Sequence, residues 1–251
     1  MAPNDLSSVD SVADNYATVP LEESIHSTSV AELKSAIADS SFSEDLALAL
    51  LKRNDLPPEV LEQLGKHNQA IRSRKVRLAL VAHPRTPRHI SMALVRQLFT
   101  FDLMGVALTP AVAGDIKMAA EEALIKRAET ISTGERLALA RRASGRVAGM
   151  LLRDPELRVV RAALENPRLT EVFVVRNLLR EGAPANFAQA VCRHPKWSLR
   201  RDVRIALLRT ESTPLARALE FARSLPATVV KEALENSRLP QNVKSCLLRV
   251  V

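Results

Sequence analysis

One short segment occurs twice in the sequence, and this repetition limits the folds that the chain can adopt. Residues 165–170 read ENPRLT and residues 235–240 read ENSRLP. The apolar stretches that precede them, VVRAAL and VVKEAL, are also alike. A match of this length indicates that one structural unit has been copied along the chain.

The spacing of the predicted helix starts indicates what this unit is. Prolines and small polar residues, which favour the first turn of a helix, recur at steps of 14 residues through the C-terminal part. One such step accommodates a helix of about ten residues, roughly 15 Å long, and a tight turn. Because so short a helix is marginal alone, it has to bury one face against its neighbours, which predicts a stack of helices. The predicted starts lie near Glu156, Thr170, Pro184, Ser198, Ser212, Pro226 and Pro240.

The turn between units has a signature of its own. An Asn or a His is followed in most copies by Pro, and then by variable residues and a helix-starting residue. The residue before Pro is displaced from the α region, which ends the preceding helix. Since Asn and His side chains hydrogen-bond loose backbone groups, we expect them to bond the backbone at the helix junction. The positions of this structural turn motif are Asn54, His83, Asn166, His194 and Asn236.

Three segments resemble the repeats of a known class of helical proteins. They are LKRNDLPPEVLEQL (51–64), RKVRLALVAHPRTP (74–87) and RDPELRVVRAALENPRLT (153–170). They resemble HEAT-like α-solenoids and, within these, the bacterial leucine-rich-repeat-variant proteins. The resemblance implies an all-α fold, a right-handed α-solenoid of short HEAT-like helical repeats, over roughly residues 44–251.

The resemblance also suggests two kinds of chemistry to consider, which are iron–sulfur cluster binding and the excision of bases from DNA. Leucine-rich-repeat-variant relatives can carry an iron–sulfur cluster on closely spaced cysteines, but this chain has only Cys192 and Cys246, so no cofactor is expected. One HEAT-like family excises alkylated purines from DNA at a site with aromatic side chains and a catalytic Asp. The single tryptophan, Trp197, lies in a turn motif and is interpreted as a cap over the neighbouring turn. DNA glycosylase activity is therefore a remote third function, and we expect no enzyme.

Other catalytic and metal-binding patterns are absent from the sequence. The five histidines form no pair at the i, i+4 spacing of metal ligands, so no metal site is predicted. The seven glycines form neither a nucleophile elbow nor a phosphate-binding loop. The sequence therefore predicts no catalytic residue and no small-molecule substrate.

Charge divides the chain into two predicted parts. Residues 1–43 hold seven acidic residues against one lysine, which leaves a net charge of +14 on residues 44–251 of a chain whose total is +8. We predict an acidic, mostly disordered N-terminal tail over 1–43, with a short amphipathic helix at 30–39, and an α-helical repeat domain over 44–251. Few cysteines, no signal peptide and no apolar run long enough to cross a membrane favour a cytoplasmic location.

Arginines on the polar faces of the predicted helices form a candidate partner-binding strip. Arg176 and Arg204 are 28 residues apart, at the same place in successive units. Because packed helices lie about 8–10 Å apart, such residues would form a ladder. Arginines in the last turn of a helix have an alternative role, which is to complement the helix dipole. The candidate strip comprises Arg141, Arg142, Arg146, Arg158, Arg161, Arg176, Arg200, Arg201 and Arg204.

These patterns favour a non-catalytic scaffold that binds a protein partner with an acidic surface. Nucleic acid stays open as the alternative partner, because a basic body attracts duplex phosphates. The scarcity of aromatic residues disfavours single strands, which bind by stacking. The acidic tail is expected either to compete internally for the basic strip or only to solubilise the chain.

Overall fold

The computed structural model describes residues 21–250, and every regular element in this range is a helix. Most of the helices are eight to ten residues long, as the 14-residue step requires, and α8 is the longest with 14 residues. A single 3-10 turn, Ala70–Arg72, lies between α4 and α5. The helices are α1 (Leu21–Ser24), α2 (Val30–Ala38), α3 (Glu44–Leu51), α4 (Pro58–Lys66), α5 (Arg74–Ala82), α6 (Arg88–Val95), α7 (Thr100–Leu108), α8 (Gly114–Arg127), α9 (Thr133–Arg142), α10 (Gly145–Leu151), α11 (Leu157–Leu164), α12 (Glu171–Leu179), α13 (Ala185–Arg193), α14 (Arg201–Leu208), α15 (Leu215–Arg223), α16 (Ala227–Glu235) and α17 (Gln241–Leu248).

The main helix contacts are local in sequence. Each helix packs chiefly against helices one or two places away in chain order. In the C-terminal half, α8, α10, α12, α14 and α16 contact one another in succession and form one row. The contacts of α9 with α11, of α11 with α13 and of α15 with α17 belong to a second row. This pattern is compatible with a helical repeat protein.

The predicted helix starts agree closely with the observed N-caps. Five of the seven are N-cap residues, and the other two helices begin two residues later than predicted, with Arg200 and Pro214 as their caps. The amphipathic helix predicted at 30–39 is confirmed by α2.

Packed structure extends to the N-terminal side of Glu44, where the sequence places the start of the repeat domain. Ile25, Leu33 and Ile37 are buried members of the hydrophobic core, and α2 packs on α4. The guanidinium of Arg53 donates hydrogen bonds back to the Ile25 and Ser27 carbonyls, at 2.7 and 2.8 Å. The first part of the predicted tail, residues 1–20, lies outside the described residues.

The turn motif ties each unit to the preceding one at two of its positions. The Nδ2 group of Asn166 donates to the Ala140 and Ala143 carbonyls at the end of α9, and its Oδ1 accepts from the Arg168 amide. His83 makes the equivalent contacts, with Nε2 2.7 Å from the Arg53 carbonyl oxygen and Nδ1 accepting from the Arg85 amide. The short polar side chain therefore closes its own turn and also satisfies a helix end in the neighbouring unit.

At His194 a second residue, Trp197, makes the hydrogen bond to the backbone of the neighbouring unit. The Nδ1 atom of His194 accepts from the amides of Lys196 and Trp197. The indole Nε1 of Trp197 donates to the Leu164 carbonyl at the end of α11, with a distance of 2.8 Å. Because Trp197 is only 2% exposed, it caps the neighbouring turn, as the sequence predicts, and presents no face for base stacking.

The two outermost turn positions depart from the pattern. Asn54 and Asn236 are exposed, whereas the three inner positions are buried. The Asn236 side chain bonds only the Glu232 carbonyl of its own helix, and neither side chain bonds a preceding unit within the described range. The predicted junction bond is therefore made in the middle of the chain and not at these two turns.

Replacing Asn166 with Ala is expected to lower the free energy of unfolding by about 1–3 kcal/mol, because buried backbone groups of α9 lose their partner. The matched control is Asn236→Ala, which removes an exposed Asn from the same motif and should change stability by less than about 0.5 kcal/mol. Urea denaturation followed by circular dichroism gives both values. Equal midpoints for the two variants would contradict the role assigned to Asn166.

Arginines at helix ends clamp neighbouring helices of a row. Arg127 donates to the Leu98 carbonyl beyond α6, Arg153 to the Gly182 carbonyl beyond α12, and Arg209 to the Asn236 carbonyl beyond α16. Each guanidinium lies at the end of its own helix, where a cation complements the helix dipole, and it also satisfies a carbonyl just beyond the end of another helix.

Candidate functional site

The candidate arginine strip is divided between the two rows of helices. Arg141 and Arg142 end α9 and Arg158 and Arg161 lie on α11; all four are exposed. The other five lie on or beside α10, α12 and α14. The candidate strip therefore draws on helices of both rows, and its four members on α9 and α11 form a first group. The second group is Arg146, Arg176, Arg200, Arg201 and Arg204.

Two members of the second group are already engaged inside the chain. Arg204 donates from Nε to the Ser198 carbonyl at 2.7 Å, and its guanidinium lies 5.7 Å from the centre of the Phe221 ring. Arg146 pairs with Glu121 and Glu122 of α8, at 3.5 Å from each. Arg176 has no side-chain partner within the described residues, although it occupies the place in α12 that Arg204 occupies in α14.

A groove of about 1090 Å³ lies between α8, α10 and α12 and the turn that follows α10. We call it the α8–α12 groove. Its apolar floor consists of Ile125, Met150, Phe173 and Leu179, and Leu179 is 43% exposed. A Cβ on Gly149 would come within 3.0 Å of the Phe173 ring, so the absence of a side chain there allows α12 to pack closely on α10.

A buried ion pair holds one wall of the groove. Asp154 Oδ2 accepts from Arg136 Nε at 2.8 Å, and Asp154 Oδ1 accepts from the Glu156 amide at 2.9 Å. The side chains of Asp154 and Arg136 are 3% and 16% exposed. Since both carboxylate oxygens are engaged and covered, Asp154 acts as a structural group that joins α9 to the turn after α10.

Three arginines at the other wall lack a carboxylate partner within the described residues: Arg153, Arg176 and Arg180. Arg153 uses Nη2 to donate to the Glu181 and Gly182 carbonyls, while its Nη1 is buried without a partner. Burial, and then the nearby charge of Arg180, lowers the pKa of the Arg153 guanidinium. The groove therefore combines an apolar floor with three arginines that have no carboxylate partner among the described residues, against one acidic lining residue without an ion-pair partner there, Glu129. This excess of positive charge suits an anionic ligand with apolar side chains.

Smaller cavities flank this groove. One of about 440 Å³ lies beyond α12 and α14, where Arg238 pairs with Glu181. Another, of about 340 Å³, lies between α11 and α13 and is lined by Arg161, Arg193 and Glu165. Both contain acidic side chains beside their arginines, so their charge is partly balanced within the chain.

Three further features of the described part of the chain bear on its function: its two cysteines, its possible metal ligands and the lengths of its helices. Cys192 and Cys246 are both free thiols, and burial raises the pKa of the Cys192 thiol to about 11, which disfavours the reactive thiolate. No group of three or more His, Cys, Asp or Glu side chains that could hold a metal ion occurs within residues 21–250. None of the helices in that range is both long and apolar enough to cross a membrane.

The pKa of His194 provides a test of the burial of its side chain. Burial lowers the pKa of His194 below its usual 6.5, with the carboxylate of Glu165, 3.2 Å from Nε2, opposing the shift. The unfolded chain then binds a proton more readily than the folded chain, so stability should fall as pH drops below about 6.5. His194→Asn, which restores the residue found at Asn166, should reduce this loss. Urea midpoints of both proteins at about pH 5.5 and about pH 7.5 measure the difference; parallel shifts would contradict the prediction.

The sequence-based strip includes two residues that line the groove, Arg146 and Arg176. It does not include Arg153, Arg180 or Phe173, which line the same groove. The available signal was Gly149, one of only seven glycines, in the middle of a helical segment. A glycine there indicates the close approach of another element.

Comparison with known proteins gives no relative from which a function could be transferred. The sequence matches no protein-family model, no curated protein and no solved structure. The function has therefore to be argued from the geometry and charge of the described residues.

Proposed function

We propose that the chain is a right-handed α-solenoid of HEAT-like repeats that works as a non-catalytic scaffold for an acidic protein partner. The row-wise contacts, the short helices and the turns bonded from unit to unit support the solenoid. Scaffolds of this architecture bind partners along an extended surface that successive units build together.

The proposed binding surface is the α8–α12 groove, and one observation carries the proposal. Arg153, Arg176 and Arg180 face an apolar groove without a carboxylate partner in the described range. An acidic segment with apolar side chains would bury Met150 and Phe173 and place carboxylates beside the arginines. Guanidinium–carboxylate bonds are strong and directional, which provides specificity in addition to attraction.

Duplex nucleic acid is the second candidate, and the division of the arginines weighs against it. A duplex contacts a protein through rows of phosphates, which require cations on one continuous face. Here the exposed arginines of α9 and α11 lie on a different row from Arg176. Apolar side chains such as Leu179 on the groove floor would gain nothing from contact with phosphates.

A titration of labelled duplex, followed by fluorescence anisotropy, distinguishes the two candidates. The scaffold proposal predicts no binding tighter than about 10⁻⁴ M at physiological salt, the weak edge of non-specific binding. Tight binding that weakens steeply with salt would overturn the proposal. In that case Arg176→Gln/Arg180→Gln should flatten the logarithmic salt slope by about two units, or roughly 0.9 per phosphate contact.

The matched control for this variant is Arg158→Gln/Arg161→Gln. It also removes two exposed arginines from one short helical unit, but from α11 on the other row. Neither pair has a side-chain partner within the described residues, so both variants are expected to fold. Any difference between the variants then reports where a ligand binds rather than how much charge the protein carries.

A further inference from the structure

We propose that the chain's own N-terminal segment, residues 1–20, docks in the α8–α12 groove. The inference concerns how access to the groove is regulated, and it rests on the proposed function only for its consequence. It starts from the exposed guanidiniums of Arg176 and Arg180, which have no partner among the described residues, and from the partly exposed apolar floor beside them.

The segment has the composition that the groove would recognise. It contains Asp5, Asp10 and Asp14 and neither lysine nor arginine. Leu6, Val9 and Tyr16 are interspersed among these acids and supply apolar groups. The carboxylates of Asp5 and Asp10 therefore complement the groove arginines, and Leu6 and Val9 complement the floor formed by Met150 and Phe173.

The length of the segment allows it to reach the groove in the same molecule. The described chain begins at Leu21, beside α2, and α10 lies about four helix-to-helix steps further along the row, or roughly 32–40 Å at 8–10 Å a step. Asp10 and Asp5 precede Leu21 by 11 and 16 residues, and an extended chain of these lengths spans about 36 and 53 Å. Asp10 can therefore reach α10, and Asp5 can also reach α12, which lies one step further at roughly 40–50 Å, without any unfolding of the helices.

Docking of this kind would make residues 1–20 compete with an acidic partner for the α8–α12 groove. A tethered ligand has an effective concentration in the millimolar range, so even a weak contact occupies the groove for much of the time. An acidic partner would then bind only by displacing residues 1–20. The contact should also be sensitive to salt, because part of its free energy comes from exposed charges.

Paramagnetic relaxation in the full-length chain tests the proposal. A nitroxide is attached to Ser8→Cys in a chain carrying Cys246→Ser, and the remaining Cys192 thiol is buried with a raised pKa, which disfavours its labelling. Backbone amide signals of α10 (Gly145–Leu151) and α12 (Glu171–Leu179) should broaden far more than those of the control helix α16 (Ala227–Glu235). Uniform broadening, or none in α10 and α12, would overturn the proposal.

Two variants show whether the complementary charges cause the contact. Asp5→Asn/Asp10→Asn/Asp14→Asn should abolish the selective broadening, and so should Arg176→Gln/Arg180→Gln, whereas Arg158→Gln/Arg161→Gln should preserve it. Selective broadening that survives both groove and tail variants would contradict the proposed contact. Broadening seen only between a spin-labelled and an isotope-labelled molecule would overturn docking within one chain.

The proposed function and this inference can fail separately. If an acidic partner binds the groove while the amides show no selective broadening, only the docking of residues 1–20 is refuted. If the segment docks but no partner ever needs the groove arginines, the scaffold proposal fails and the internal contact stands.

Discussion

Replacing Trp197 with Ala is expected to lower the free energy of unfolding by about 3–5 kcal/mol, the usual range for a buried Trp reduced to Ala. The side chain is 2% exposed and fills the space between the turn after α13 and the end of α11. Its removal leaves a cavity and also orphans the Leu164 carbonyl oxygen. Urea denaturation followed by far-ultraviolet circular dichroism gives the value without relying on tryptophan fluorescence.

The conservative variant Trp197→Phe separates the contribution of the buried aromatic ring from that of the indole hydrogen bond to Leu164. It retains most of the buried ring but loses the indole donor to Leu164, so it should cost about 1–3 kcal/mol for an orphaned buried acceptor. Trp197→Ala should remain clearly the more destabilised of the two. A loss below about 1 kcal/mol for Trp197→Ala would show that the residue is not the core of this turn.

Replacing Asp154 with Ala is expected to destabilise the chain by about 3–5 kcal/mol, because it leaves the charge of Arg136 buried without its counter-charge. The Glu156 amide would lose its acceptor as well. The measurement is again the urea denaturation curve, recorded near neutral pH.

A double variant tests whether the unpaired charge causes this loss. Arg136→Met/Asp154→Leu removes both charges and keeps apolar volume, and it should recover a large part of the stability lost in Asp154→Ala. If the double variant is as unstable as the sum of the single variants, the two residues do not act as a pair. That result would contradict the structural role given to Asp154.

The helical architecture could be predicted from the sequence because its signals are local. Proline and polar caps mark the starts of short helices, and tertiary packing then has only to confirm them. The start predicted at Ser198 falls at Arg200 instead, since the turn around Trp197 continues through a bond from the Arg200 amide to the Trp197 carbonyl. That turn depends on burial of the indole against α11, which a cap signal does not encode.

The groove could not be predicted, because it depends on contacts between residues far apart in the sequence. The 28-residue spacing correctly places Arg176 and Arg204 on neighbouring helices, α12 and α14. It does not reveal that Arg204 is held by the Ser198 carbonyl while Arg176 is unpaired. It also does not show that Phe173 packs over Gly149 and opens an apolar floor beside Arg153.

Capture of partners from a nuclease-treated native lysate tests the central claim most directly. Three immobilised full-length proteins are compared: the wild type, Arg176→Gln/Arg180→Gln in the α8–α12 groove and Arg158→Gln/Arg161→Gln on α11. Scaffold function through the groove predicts that the wild type and the α11 variant capture the same acidic protein. It predicts that the groove variant loses this protein and that nuclease makes no difference. Capture that disappears with nuclease, or that survives equally in both variants, would contradict recognition of an acidic protein through the groove.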